Sequence, residues 1–300
     1  MHHRVHSRQR HIPAEIVYLN MQIQLFAPPK ELQNFFLHSA FIELSCLEAS
    51  LPAGPCPSIM LMVKGEAREI LDDGQSVLAP RFIFRGPYTR PVRIAYTPDV
   101  RCISVCFKPG TLADCSELKV ANYLNAYAPM EEIADPVSVK TLLDFVSEQH
   151  RIDETMHAFH QFLLQNFSDR KKRLSGQNFL AAHQKLFSPL IDIALYFGIG
   201  ERQLERRVTD AFGLSLRNLR RIARFGFTLL RLKEEQANWG DLTRIAHAAG
   251  YYDQAHMHKD FVELGGHAPA ALLQKIASQD PAFWMYRIAL DDFKKMFYAV

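Results

Sequence analysis

The sequence predicts an α+β protein in which a β-rich domain is followed by an all-helical one. Three observations carry this. Between about Gln22 and Pro109, short β-branched and aromatic runs alternate with Pro, Gly and Asp turn signals. From Thr111 onward, apolar residues recur at helical spacing. Between Pro189 and Leu273, two similar helix–glycine–helix units stand about fifty residues apart. A length of 300 residues suits two domains, and a hydrophobic share of 48% is enough for ordinary cores.

In chain order, Met1 to His11 (MHHRVHSRQRH) is basic and His-rich, with no apolar run behind its charges. It is therefore not a secretory signal, and residues 1–20 read as a disordered tail. Metal binding by His2, His3 and His6 is a remote alternative. Residues 21–168 read as the β-rich domain, with helices from about 111. Its runs AFIELSCLE, SIMLMVKG, QSVLAPRFIF, VRIAYT and RCISVCFKP suggest a small sandwich or barrel. Leu118, Tyr123, Leu124 and Tyr127 suggest one helix, and Val137 to Gln149 a second. Met156, Phe159, Phe162, Leu163, Leu164 and Phe167 suggest an amphipathic third. DRKKR at 169–173 opens a linker, 169–178, into a domain spanning 179–276.

Several function classes lose support at this point. No histidine lies between His38 and His150, so neighbouring strands of the first domain cannot supply the imidazoles a metal site of that kind needs. No metal and no cofactor are expected. There is no G-x-S-x-G and no phosphate loop, so no catalytic residue is assigned and an enzyme in the first domain is the remote reading. The five cysteines, Cys46, Cys56, Cys102, Cys106 and Cys115, are odd in number and follow no signal, which points to the reducing cytoplasm. Cys102 and Cys106 share one strand face ~13 Å apart, too far for a disulfide. No stretch of about 18 apolar residues occurs, so no membrane span is expected.

The two helical units follow one plan. Ala194 precedes Gly198, and Ala246 precedes Gly250, in each case by four residues. The small Ala lets two helices cross closely, and the Gly supplies the left-handed turn between them. Leu204 and Val208 then mark the buried stripe of the first recognition helix, Met257 and Phe261 that of the second. Pro269 opens the helix that follows. The separator SLRNLRRIARFGFTLLRLKEE reads as one helix of about 19 residues, roughly 28 Å long, against a major-groove repeat of ~34 Å in B-DNA. Charge agrees: residues 170–275 hold 17 Lys/Arg against 10 Asp/Glu, while the remainder holds 18 against 22. The basic excess lies with the motif, as a phosphate footprint should.

Position on the recognition helices then nominates the readers. Arg202, Glu205 and Arg206 lie opposite Leu204 and Val208; Gln254, Ala255, His258 and Lys259 lie opposite Met257 and Phe261. Arg can bridge guanine O6 and N7, Glu can accept from cytosine N4, Gln suits adenine, and Ala can touch a thymine methyl. Gln203, Arg217, Arg221 and Arg224 are the expected phosphate contacts, with Arg220 beside them. Tyr251 and His256 read as partly buried structural residues.

The stretches GIGERQLERRV, FGLS followed by RRIARF, IAHAAGYYDQAHMHKDF and GHAP resemble the DNA-binding domain of the AraC/XylS family of bacterial transcription regulators. Against the family pattern, Gly200 replaces a Ser N-cap, Leu216 a proline and Lys259 an arginine, and Gly226 lies inside the linker helix. The resemblance implies double-stranded DNA as partner, RNA polymerase as a further partner of an activator, and a cupin-like sensory domain at the N-terminus. That domain would hold a small-molecule effector or a homodimer interface, and the sequence does not choose between them. A DNA-binding module with no ligand, regulated by oligomerisation or a protein partner, is the alternative. Residues 277–300 extend past the family's usual end. Their aromatic density suggests a helix docked on a domain or a partner.

Overall fold

The computed structural model of the protein describes residues 15–18, 21–45, 47–148, 150–167, 185–235 and 242–286. The histidine-rich start, Cys46, the basic linker and the end of the C-terminal extension lie outside these residues. The α+β order expected from the sequence is observed: strands first, helices after.

The first domain is built from two antiparallel sheets. The larger runs β1 (Glu15–Tyr18), β2 (Met21–Phe26), β3 (Phe36–Leu44), β10 (Val100–Phe107), β5 (Ser58–Lys64), β8 (Phe82–Arg85) and β11 (Tyr127–Pro129) in spatial order. The smaller runs β4 (Glu48–Leu51), β9 (Val92–Tyr96), β6 (Ala67–Ile70) and β7 (Ser76–Leu78). Strand alternation divides the larger sheet into two apolar faces. Met60 and Met62 of β5 join Ile42, Ile94 and Val100 between the sheets. Ile59 and Leu61 join Phe82 and Phe84 on the outer face.

A single turn, α1 (Leu112–Cys115), follows β10, and the outer face is covered by α2 (Pro136–Ser147) and α3 (Ile152–Asn166). Pro136 presets the first turn of α2, and the Asp135 carboxylate accepts from the Ser138 amide at 2.8 Å. Phe159 and Phe162 of α3 lie 6.1 and 5.1 Å, centroid to centroid, from Phe82. Full burial of such a ring contributes about 1.5–3 kcal/mol, so this seam is a principal source of cohesion in the domain.

Two stretches depart from the sequence expectation. Residues 15–18, assigned to the tail, form β1 and pair with β2 from Glu15↔Gln24 to Tyr18↔Met21; the run EIVY is itself β-branched and aromatic. The helix expected across Leu118 to Tyr127 is a four-residue 3₁₀ turn, Val120–Tyr123, followed by β11. Asn125 takes φ 56° and breaks any helix there. The turn presses so close to β8 that a Cβ on Gly86 would stand 2.0 Å from the Tyr123 carbonyl oxygen. Only glycine fits.

The second domain contains α4 (Leu190–Tyr196), α5 (Glu201–Phe212), α6 (Leu216–Glu234), α7 (Leu242–Ala248), α8 (Gln254–Gly265) and α9 (Pro269–Ala277). Gly198 and Gly250 take φ 63° and 79° in the two turns. The separator is one helix of 19 residues, α6, capped by Ser215, whose hydroxyl accepts from the Asn218 amide. The two domains are joined by contacts of several kinds. Ala53 N donates to the Leu264 carbonyl at 2.8 Å. Beyond α9, the chain turns back to the first domain: Trp284 is buried between its two sheets, and the Tyr286 hydroxyl donates to the Gly265 carbonyl at 2.8 Å.

Candidate nucleic-acid interface

Each motif presents one buried stripe and one open face. Ala194 and Ala246 are buried where α4 crosses α5 and α7 crosses α8, and Leu204, Val208, Met257 and Phe261 fill the core behind them. Phe261 meets Phe225 of α6 edge-on, with centroids 4.9 Å apart. Pro269 is buried at the first position of α9. On the open side of α5, Arg202, Glu205 and Arg206 are exposed and Gln203 is half-buried. On α8, Ala255, His258 and Lys259 are exposed, and half-buried Gln254 accepts from the Thr243 hydroxyl at 3.2 Å.

The helices begin differently. Gly200 caps α5 with extended backbone and no side chain. Asp253 caps α8 through its carboxylate, which accepts from the His256 amide at 2.7 Å. Tyr251, just ahead, is buried, and His256 is exposed with its ring edge-on to Tyr251 at 5.1 Å.

Between the two motifs runs a recess lined by Glu205 of α5, by Arg217, Arg220, Arg221 and Arg224 of α6, and by His256 of α8. The four arginines are not equivalent. Arg217 is exposed. Arg220 Nε donates to the Leu186 carbonyl at 2.7 Å and holds the segment that leads into α4. Arg221 Nε pairs with Asp260 of α8 at 2.5 Å, and its Nη2 donates to Glu263 on the same helix. The side chain of Arg224 lies between two rings, 5.3 Å from the Tyr251 centroid and 5.9 Å from that of Phe187.

Arg221 was expected at phosphate, and its geometry reads first as a clamp. Asp260 is 1% exposed, and a carboxylate buried that deeply is tolerable only when paired. The hydrogen bond from Arg221 also holds the Glu263 carboxyl below the ordinary range. Burial, with Asp260 nearby, pushes the Tyr251 hydroxyl up. The clamp was missed because each member looks like an ordinary surface charge; the available signal was an acidic pair three residues apart on a helix of a basic domain.

Another stripe of α6 faces the first domain. Ile222, Phe225, Gly226 and Leu229 close a cavity of about 150 Å³ whose other walls come from β-domain residues such as Met60, Arg85 and Tyr88 and from Met285 and Tyr286 of the extension. Gly226, costly in a helix interior by ~1 kcal/mol relative to Ala, thus stands at a cavity wall. Among the described residues no group of three or more His, Cys, Asp or Glu is placed to hold a metal ion, and no helix is long and apolar enough to cross a membrane.

Residues 193–275 match the family described as a helix-turn-helix domain. No curated protein matches the chain. Among solved structures, ToxT from Vibrio cholerae is similar at 10% identity, covering 85% of this chain and 98% of that one with a TM-score of 0.42. ToxT of strain O395 bound to (E)-4-(8-methylnaphthalen-1-yl)but-3-enoic acid gives 12% identity, coverages of 85% and 99%, and the same TM-score, 0.42. A cupin domain of an XRE-family transcriptional regulator from Enterobacter cloacae is similar over 30% of this chain and 99% of that one, at 15% identity and a TM-score of 0.24.

Proposed function

We propose that this chain, whose residues 193–275 form a helix-turn-helix domain of the AraC type, is a cytoplasmic transcription regulator that reads duplex DNA through two neighbouring major grooves. One observation carries the reading. Glu205 and His256, from the two recognition helices, stand on the rims of one arginine-lined recess, so both helices flank the same side of α6. With a spacing element of roughly 28 Å, α5 and α8 enter successive grooves while the intervening phosphates lie over α6.

In this arrangement Arg202 and Arg206 meet guanine, Glu205 accepts from cytosine, Gln254 meets adenine, and Ala255 touches a thymine methyl. His258 and Lys259 complete the second reader. Gln203 donates to a phosphate oxygen, which helps fix register, and Arg217 and Arg224 neutralise phosphate, which makes binding fall with salt. Arg221 positions α8 through Asp260 and Glu263 and adds to the phosphate field only secondarily.

Control comes from a small molecule in the cavity between the first domain and α6. Both motifs hang on α6, so a ligand that favours one packing of this helix biases how the motifs engage DNA. Arg206→Ala tests the reading directly. It is expected to weaken specific binding by ~1–3 kcal/mol and relax preference at one base pair; an equal loss on every sequence would show that Arg206 reads no base.

A further inference from the structure

Resting on the effector reading above, a further assignment concerns what the cavity takes. We infer that it binds a compact organic monoanion, about one aromatic ring in size, whose acid group is held by Arg85 and Tyr88.

The charge is the first argument. Arg85 ends β8 and lines the cavity, yet it is 6% exposed. Its Nε has no hydrogen-bond partner, and none of the ion pairs among the described residues includes it. The guanidinium lies over the Tyr88 ring, 5.0 Å from its centroid. A cation so enclosed is costly unless an anion or hydrogen-bond acceptors meet it. The Tyr88 hydroxyl is a second buried donor with no partner, and Tyr88 also lines the cavity. Burial pushes that hydroxyl up, so it remains protonated and able to donate. Two unpartnered donors on residues that line a mostly apolar space suit a carboxylate carried on an apolar body. Glu69, 8% exposed, is close enough to act on Tyr88. It makes no ion pair with Arg85, and its charge favours a ligand carrying one negative charge over two.

Size is the second argument. An apolar cavity of about 150 Å³ is enough for benzene, and the cavity here is about 150 Å³. A long acyl chain would have to displace Phe225, Leu229 or Met285 from its walls. Gly226, which a helix interior disfavours, lines this space together with Ile222, Phe225 and Leu229.

Calorimetric titration of the full chain with benzoate, cyclohexanecarboxylate, benzamide and palmitate tests the assignment, with Arg85→Gln and Gly226→Leu as variants. Both ring acids are expected to bind wild type. Benzamide, and benzoate on Arg85→Gln, should bind at least tenfold more weakly, since each lacks the charge-assisted hydrogen bond to the guanidinium. Gly226→Leu should abolish binding while its thermal midpoint stays at or above that of wild type. Benzamide matching benzoate, or Arg85→Gln binding as wild type does, would overturn the role of the acid group. Palmitate binding as well as benzoate would overturn the size, and no binding by either ring acid would overturn the whole assignment. A gel-shift on duplexes that the protein selects from a random pool separates this from the effector reading. Acid binding with no change in DNA affinity would refute control while leaving the site in place.

Discussion

The two helix-turn-helix motifs share a plan and are held by different forces. The second is tied to the linker helix by charge: Arg221 of α6 meets Asp260 and Glu263 on α8. Among the described residues the first has no such clamp, and the end of its recognition helix packs against the first domain. A Cβ on Gly213, at the end of α5, would lie 2.8 Å from the Val120 side chain and 3.0 Å from its backbone carbonyl. One motif is thus clamped by charge to the rod that spaces the pair, and the other is packed without that clamp. A rearrangement of the first domain therefore reaches both recognition helices by contact, α5 through Val120 and α8 through Ala53, while the clamp ties α8 to α6 as well.

The sharpest way to break this contrast is to remove the clamp. Arg221→Met leaves Asp260 buried without its partner, which costs about 3–5 kcal/mol when an ion pair is broken from one side. The loss should appear in urea or thermal unfolding of the full chain, with amide protection falling first in α8. A loss under 1 kcal/mol would mean that Asp260 is reached by water and the clamp is not structural. The complementary Arg202→Met, on the open face of α5, should leave stability within about 0.5 kcal/mol of wild type, as exposed substitutions do.

Why the sequence shows some of this and hides the rest follows from the range of each interaction. The turn glycines are legible because a left-handed residue is a local demand: Gly198 and Gly250 announce themselves beside Ala194 and Ala246. The 19-residue linker helix is legible because its apolar stripe repeats over five turns. The clamp is not, since Arg221 and Asp260 are 39 positions apart and neither carries a mark of burial. Trp284 is harder still: it fills a space between sheets whose strands all lie more than 150 residues earlier. The 118–127 stretch failed for another reason. Four apolar residues at helical spacing are too few to outweigh a close contact with Gly86. Gly226 stood out as an oddity, and its place at the cavity wall gives it a physical reason.

Helix starts offer a finer comparison. In the second motif Asp253→Ala removes the carboxylate that the His256 amide donates to. Loss of such a cap costs ~1 kcal/mol, and the exposed loop around it offers no replacement. Thermal unfolding should resolve the change, roughly 2–4 °C for a chain of this size. A midpoint unmoved within 1 °C would show that the 2.7 Å contact contributes nothing net.

The smallest effect runs the other way, in the first motif. Gly200 holds extended backbone, φ −75° and ψ 155°, which any residue can adopt, and a Cβ placed there meets nothing within 4 Å. Gly200→Ser therefore adds a hydroxyl able to accept from the Gln203 amide with no steric penalty, the bond its counterpart Asp253 already makes. Serine improves on glycine at this position by only a few tenths of a kcal/mol, so the midpoint should rise by about 1 °C. Hydrogen exchange gives a clearer reading, because protection should increase at Gln203 and leave the amide of His256 in α8 unchanged. An equal increase at both would mean that the two motifs open as one unit, and that the difference in how they are held does not make them independent.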